Sequence, residues 1–444
     1  MIGYIKLIVL LKILFISSSC SFKNPGGFFD DRLADLEREN VQKNSKLVFE
    51  KEKKFTKEIS GTIAKKINKP LNIINWTERN YDSSNYIPHL NYENKNQLIY
   101  KSKKIGKNKF KLPPQFFEPL ILNNEIIFYD FSGNIYNFSI PNKKLKWKYN
   151  FYKKRYKNMA IIKKLILSNN NLIIADNVGY IYSLEIETGK LNWAKNYGIP
   201  FKSNIKTDDE NIFILNQDNK FYSINQKDGT QNIGLETFPS FLKSNQQTNV
   251  VADKDNNNVY FITSNGEVYS LNYKMKNLNW FYSLNRGSDL FYSSPIIYKK
   301  NEILFSSSKS TYSIDTKNGV IKWELPFSTY LRPIITNEFI FLASKNGFFL
   351  NVDLMSGKVL WSVNLFKNKK ELKKEKIGDI VSILLLSNKI LASTSNGYFL
   401  FLDYRNGKII NYTKASKSGF FSNPIIVDKN IYVIDKKMRV LIFN

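Results

Sequence analysis

Cysteine and histidine are nearly missing from this chain: its 444 residues contain one of each, Cys20 and His89. A single thiol cannot close an internal disulfide. One His and one Cys exclude His-rich metal sites and leave little room for a Cys–His or Ser–His nucleophile pair. Carboxylates are the minority charge, 38 against 66 basic residues. They form no spaced constellation, and Asp208-Asp209-Glu210 reads as a hairpin turn. No glycine loop of the phosphate-cradling kind is present. Beyond the N-terminus no stretch approaches the ~20 apolar residues a membrane helix needs. Catalytic residues, cofactor-binding residues, metal ligands and a cofactor are therefore all expected to be absent, and the chain does not read as an enzyme.

The formal net charge of +28 invites a nucleic-acid reading. The lysines are dispersed along the whole chain, however, and no nucleic-acid-binding motif accompanies them. They read as solvated faces, with two dense runs, 101–111 and 367–376, as exposed loops. No nucleic-acid partner is expected.

The N-terminus has the layout of an export signal. Lys6 precedes an apolar stretch from Leu7 to Ile16, interrupted at Lys12, and Ser17-Ser18-Ser19 leads to Cys20. Small residues before a cysteine resemble the bacterial lipoprotein signal, with Ser17 standing where that signal usually has Leu. The resemblance implies cleavage after residue 19 and lipidation of Cys20. Ser21, which is not an acid, resembles the sorting pattern for the outer membrane. Residues 1–19 are thus expected to be a signal peptide and 20–70 a charged tether. Attached acyl chains bury methylenes at ~0.8 kcal/mol each.

From about residue 71 short strands take over. In 172–195, Leu172-Ile173-Ile174 is an apolar run and Asn177-Val178-Gly179 a turn. Tyr180, Tyr182 and Leu184 then alternate at period two. Thr188-Gly189-Lys190 is the next turn, where glycine supplies a positive φ cheaply. The unit recurs. Tyr-Ser-aliphatic steps begin at Tyr182, Tyr222, Tyr269 and Tyr312, and Pro-aliphatic openers at Pro119, Pro295, Pro333 and Pro424.

All six tryptophans share one setting. Trp76, Trp147, Trp193, Trp280, Trp323 and Trp361 each follow an aliphatic residue by two, and Gly189, Gly319 and Gly357 stand four before a Trp. Anchor positions at 147, 193, 233, 280, 323, 361 and 411 are spaced by roughly 38 to 50 residues, close to the four-strand blade period of about 40–45. Seven units are complete, and 424–443 lacks an outer strand. A strand near Trp76 is expected to complete that last blade, closing the ring and protecting its edges. The expectation is an all-β, eight-bladed propeller over 71–444. Its tryptophans are blade anchors, each ring burying ~150–250 Å².

The stretch from Gly179-Tyr180-Ile181-Tyr182 to Leu191-Asn192-Trp193 resembles the PQQ-type β-propeller repeat family. That family contains quinoprotein dehydrogenases as well as non-catalytic propellers. The dehydrogenases carry a vicinal cysteine pair, which this chain lacks. The closer likeness is to the lipoprotein propellers of the outer-membrane β-barrel assembly machinery, in Ser418-Gly419-Phe420-Phe421-Ser422-Asn423-Pro424. This likeness implies a periplasmic scaffold at the outer membrane, with the barrel-forming subunit and unfolded outer-membrane proteins as partners. A quinoprotein-type dehydrogenase or a small-molecule-binding propeller is the alternative. Pro239-Ser240-Phe241-Leu242-Lys243 and Ser288-Asp289 match the family's docking loops. Phe241, Leu242, Lys243 and Asp289 are the docking candidates that follow, with Lys243 in place of the family's Arg and Phe291-Tyr292 in place of a second acid.

Overall fold

The computed structural model describes residues 55–444 except 66, 108, 111–116, 153–155, 240–247, 285–290 and 368–371. Thirty-two strands form eight four-stranded antiparallel sheets. Seven blades are contiguous in sequence, each meandering from its innermost strand outward. Blade 2 illustrates the plan, with strands Lys163–Ser168, Asn171–Asp176, Tyr180–Glu185 and Leu191–Asn196. Its three inner strands are almost wholly buried, whereas the outer strand is largely exposed. The inner strands accordingly read as apolar runs and the outer strand as polar residues around one tryptophan.

The prolines fall at strand entries. Pro119, Pro333 and Pro424 immediately precede the inner strands Leu120–Leu122, Ile334–Ile335 and Ile425–Val427 of blades 1, 6 and 8. A residue without an N–H removes no ladder bond at that position. The turn between the second and third strands is held by a short polar side chain. In blade 2, Asp176 Oδ1 accepts from the backbone N–H groups of Val178, Gly179 and Tyr180 at 2.8, 2.9 and 3.0 Å. Asp208-Asp209-Glu210 is a hairpin turn, between Lys206–Thr207 and Asn211–Leu215 of blade 3.

The ring closes with an N-terminal strand, but one further along the chain than Trp76. Leu98–Lys101 pairs antiparallel with Val440–Phe443 and completes blade 8. Trp76 is not a blade anchor. It forms an isolated antiparallel bridge with Ile121 on the inner strand of blade 1 and is fully buried. Its aliphatic-x-Trp setting imitates the repeat, but its burial comes from the middle of the ring. The outer position that Trp occupies elsewhere is filled in blade 8 by Tyr100, with Lys143 Nζ 5.6 Å from its ring centroid.

Residues 55–65, which composition assigns to the tether, lie against blades 5 to 7. Ile59 bridges Ser362 on the outer strand Val359–Asn364 of blade 6, donating and accepting backbone bonds at 3.2 and 3.0 Å. Phe55 N–H donates to the Pro326 carbonyl, and Ile63 N–H to that of Arg405. Ile63 is buried in the core between blades 6 and 7. Lys101 ends the closing strand, and Lys374–Ile377 forms a single helical turn; residues 108, 111 and 368–371 of the two basic runs lie outside the described residues.

Candidate functional site at the central channel

The first strand of every blade faces the ring axis, so eight short strands line the channel. Residues 71–92 fill it. Trp76 bridges blade 1 and Glu78 bridges Ile166 of blade 2. The Ser83 and Ser84 carbonyls accept from Ala252 of blade 4 and Tyr298 of blade 5, both at 2.9 Å. Leu90 bridges Leu386 of blade 7, and the Ile73 carbonyl accepts from Asp428 of blade 8. The segment reverses direction: Trp76 and Glu78 bridge their inner strands antiparallel, whereas Leu90 bridges its inner strand in parallel. The reversal lies at 80–85, where Asn80, Tyr81 and Asn85 take positive φ, a conformation that asparagine tolerates. Asp82 Oδ1 ties this turn by accepting from Ser84 N, Ser84 Oγ and Tyr86 N at 3.0, 2.8 and 2.9 Å.

Blade 3 contributes an ion pair. Lys206, fully buried on its inner strand, donates from Nζ to Glu78 Oε2 at 2.7 Å and to the carbonyls of Arg79 and Asp82 at 3.0 and 2.6 Å. All three ammonium donors are satisfied, as a buried charge requires. Burial pushes the Glu78 carboxyl up to about 7, against the pull of Lys206. Glu118, just before the inner strand of blade 1, accepts at Oε2 from Trp76 Nε1 at 3.0 Å and from Asn80 N–H at 2.7 Å. The only histidine, His89, belongs to the same segment, with Nδ1 2.5 Å from the Asn68 carbonyl. Burial lowers its pKa. It borders a cavity of about 240 Å³ with Leu71, Tyr86, Ile335 and Thr336. Among the described residues no group of His, Cys, Asp or Glu is arranged to hold a metal ion, and no helix is long and apolar enough to cross a membrane.

Cys20, Phe241, Leu242, Lys243 and Asp289 lie outside the described residues. Their neighbours are described. Phe238 and Phe281 are exposed, and the Asn265 side chain donates to the Phe238 carbonyl at 3.0 Å. Phe291 is a core residue between blades 4 and 5. Tyr292 stacks on Tyr330 with ring centroids 4.0 Å apart. Trp147, Trp193, Trp280, Trp323 and Trp361 all stand on outer strands at one register position. The channel segment escaped sequence reading because 77–96 shows no strand alternation. Its one signal is density: Asn and Ser crowd this stretch beside buried-type residues such as Trp76 and Tyr92.

Eight four-stranded blades with this repeat define the chain as a PQQ-like β-propeller. The family model described as outer membrane protein assembly factor BamB matches residues 132–363 and 351–444, and the chain belongs to that family. An outer membrane protein assembly factor BamB from Shewanella oneidensis is 24% identical over 140 residues. That match spans 32% of this chain and 33% of the relative's length. Among solved structures, BamB from Moraxella catarrhalis aligns with a TM-score of 0.61 at 13% identity, covering 78% of this chain and 99% of that one. A europium-containing methanol dehydrogenase aligns at 0.63 and 12% identity, covering 81% and 89%. The quinohemoprotein alcohol dehydrogenase from Comamonas testosteroni aligns at 0.63 and 11%, covering 83% and 80%. At such identities these likenesses establish the fold alone.

Proposed function

We propose that this chain is a non-catalytic periplasmic scaffold, lipid-anchored through Cys20 at the outer membrane. It binds the barrel-forming subunit of the outer-membrane assembly complex and assists insertion of unfolded outer-membrane proteins. Family membership supports the setting. The observation that carries the non-catalytic reading is the filled channel. A quinone or another small molecule on the ring axis would need the space that Trp76, Glu78 and Ser83–Ser84 occupy between the inner strands. The dehydrogenase branch's vicinal cysteines also have no counterpart, Cys20 being the only cysteine. The residues present therefore do not fit that cofactor.

Partner contact is assigned to the loops carrying Phe241, Leu242, Lys243 and Asp289. Phe238 and Phe281, which precede those loops in the sequence, are exposed apolar residues. Unfolded barrel strands are candidates for addition to the blades' outer edges. Ile59 pairs with the outer strand of blade 6 in this way within the chain itself. The test is purification of the native complex from membranes. Recovery of the barrel-forming subunit with this chain is the expected result. Its absence, under conditions that retain other lipoprotein contacts, refutes the reading. Adding the quinone with calcium should produce no dehydrogenase activity.

A further inference from the structure

Four cations lie toward the end of the channel where the inner strands begin, with the carboxylates of Glu118 and Asp82 acting on the same group. Arg79 lies on the channel segment, Lys164 on the inner strand of blade 2, and Lys202 and Arg332 on the approaches to blades 3 and 6. All four are half-buried. Arg79, Arg332 and Glu118 line one cavity of about 60 Å³. Arg79 Nη1 donates to Asn204 Oδ1 at 3.4 Å, and Arg332 Nη1 donates to the Pro333 carbonyl at 2.8 Å. Glu118 spends Oε2 on Trp76 and Asn80. Among the described residues no carboxylate forms an ion pair with Lys164, Lys202 or Arg332.

Sheltering like charges together is unfavourable, because burial and repulsion both oppose the charged forms. Burial first, then the charges of Arg79 and Lys202, hold the Lys164 amine well below its ordinary value. Burial likewise lowers Arg332 to about 10, although Glu118 and Asp82 raise it. An entering anion offsets this repulsion. The guanidinium groups are planar forks that match carboxylate and phosphate oxygens, and the lysines add point charges. Exposed Tyr330, stacked on Tyr292, offers an apolar wall beside the cavity.

We infer that this mouth is an anion-binding site, taking one carboxylate or phosphate group carried on a small molecule or a narrow stem. The inference is independent of the scaffold reading, since it concerns only the charge balance of the channel.

Sulfate is a suitable probe because it does not titrate near neutrality. Titration calorimetry on the full chain in detergent, at constant ionic strength balanced with chloride, should show saturable binding. Arg332→Gln, which removes a guanidinium that lines the cavity, should weaken it at least tenfold. Lys103→Gln with Lys104→Gln, in an exposed basic run, should leave it unchanged. A melting measurement guards against misfolding. Lys164→Gln alone should raise the melting temperature in chloride and reduce the further rise that sulfate gives the parent chain. Displacement of sulfate by acetate would assign the site to carboxylates, and failure of acetate to displace it would assign the site to phosphate-like groups. Absence of saturable binding, or equal weakening by Arg332→Gln and by the exposed lysine pair, overturns the proposal.

Discussion

The indole of Trp147 in blade 1 lies over Gly189 in blade 2, so closely that a Cβ at Gly189 would stand 2.7 Å from the ring. The indole N–H donates to the Ile186 carbonyl of the same turn at 2.7 Å. The contact repeats around the ring: Trp193 on Gly229, Trp280 on Gly319, Trp323 on Gly357, and Trp361 on Gly407. Wherever the tryptophan is lost, the glycine partner is lost too. Ile233 of blade 3 precedes a blade 4 turn with Lys276 at the positive-φ position, and Tyr100 of blade 8 precedes one with Lys143. Asn411 of blade 7 meets no such turn, because blade 8 takes its outer strand from the N-terminal side.

Gly189→Ala and Gly319→Ala should therefore destabilise the chain by about 1–3 kcal/mol each. The added methyl meets an indole ring, and φ of 70° and 73° is strained for any L side chain. Urea unfolding measures the loss. In contrast, Lys276→Gly should cost no more than about 1 kcal/mol, since lysine there already takes a positive φ and no indole crosses it. Equal losses at the three sites would refute the pairing of Trp with the next blade's glycine.

The Lys206–Glu78 pair should be visible in pH dependence. Burial raises Glu78 to about 7 from an ordinary 4.5. The folded state thus holds a proton that the unfolded chain releases. This contribution to stability is present below about pH 4.5 and is lost as pH rises through about 7. Glu78→Gln should flatten the stability profile across that window, measured by denaturant unfolding at several pH values. Lys206→Met should cost about 3–5 kcal/mol near neutrality, because it leaves Glu78 buried without its partner. The double variant should recover part of that loss.

Gly61 tests the strap on blade 6. An ideal Cβ there would lie 2.3 Å from the Leu360 carbonyl oxygen. Gly61→Ala should lift residues 55–65 from the blade while leaving the ring folded. Hydrogen exchange at the Ile59 amide, which donates to Ser362, should accelerate at least tenfold with little change in the inner strands. Unchanged exchange at Ile59 would show that the strap tolerates the methyl.

Cys20→Ser tests the anchor. The variant should move from the membrane fraction to the soluble periplasm on fractionation. Retention in the membrane would mean that something other than an acyl chain holds the protein.

The blade repeat was legible because it is written in local chemistry. Period-two alternation, prolines at strand entries and Trp at one register position each need only a few residues to be recognised. The eight-blade count and an N-terminal closing strand followed from the incomplete unit at 424–443. The choice of strand did not follow, because Trp76 imitates an anchor: Ile74-x-Trp76 has the same local form as Leu191-x-Trp193. Only the closed ring distinguishes them, by putting Leu98–Lys101 beside Val440–Phe443 and Trp76 against Ile121 on the axis.

Sequence alone determined the architecture of this protein and the turns that need glycine. Tertiary structure alone decided that each Trp serves the next blade's glycine and not the one four residues before it. It also decided that 71–92 fills the channel and that Arg79, Arg332 and Glu118 line one cavity at its mouth. The physical reason is range. Strand and turn preferences act over a few residues, whereas these contacts join elements tens to hundreds of residues apart, brought together only when the ring closes.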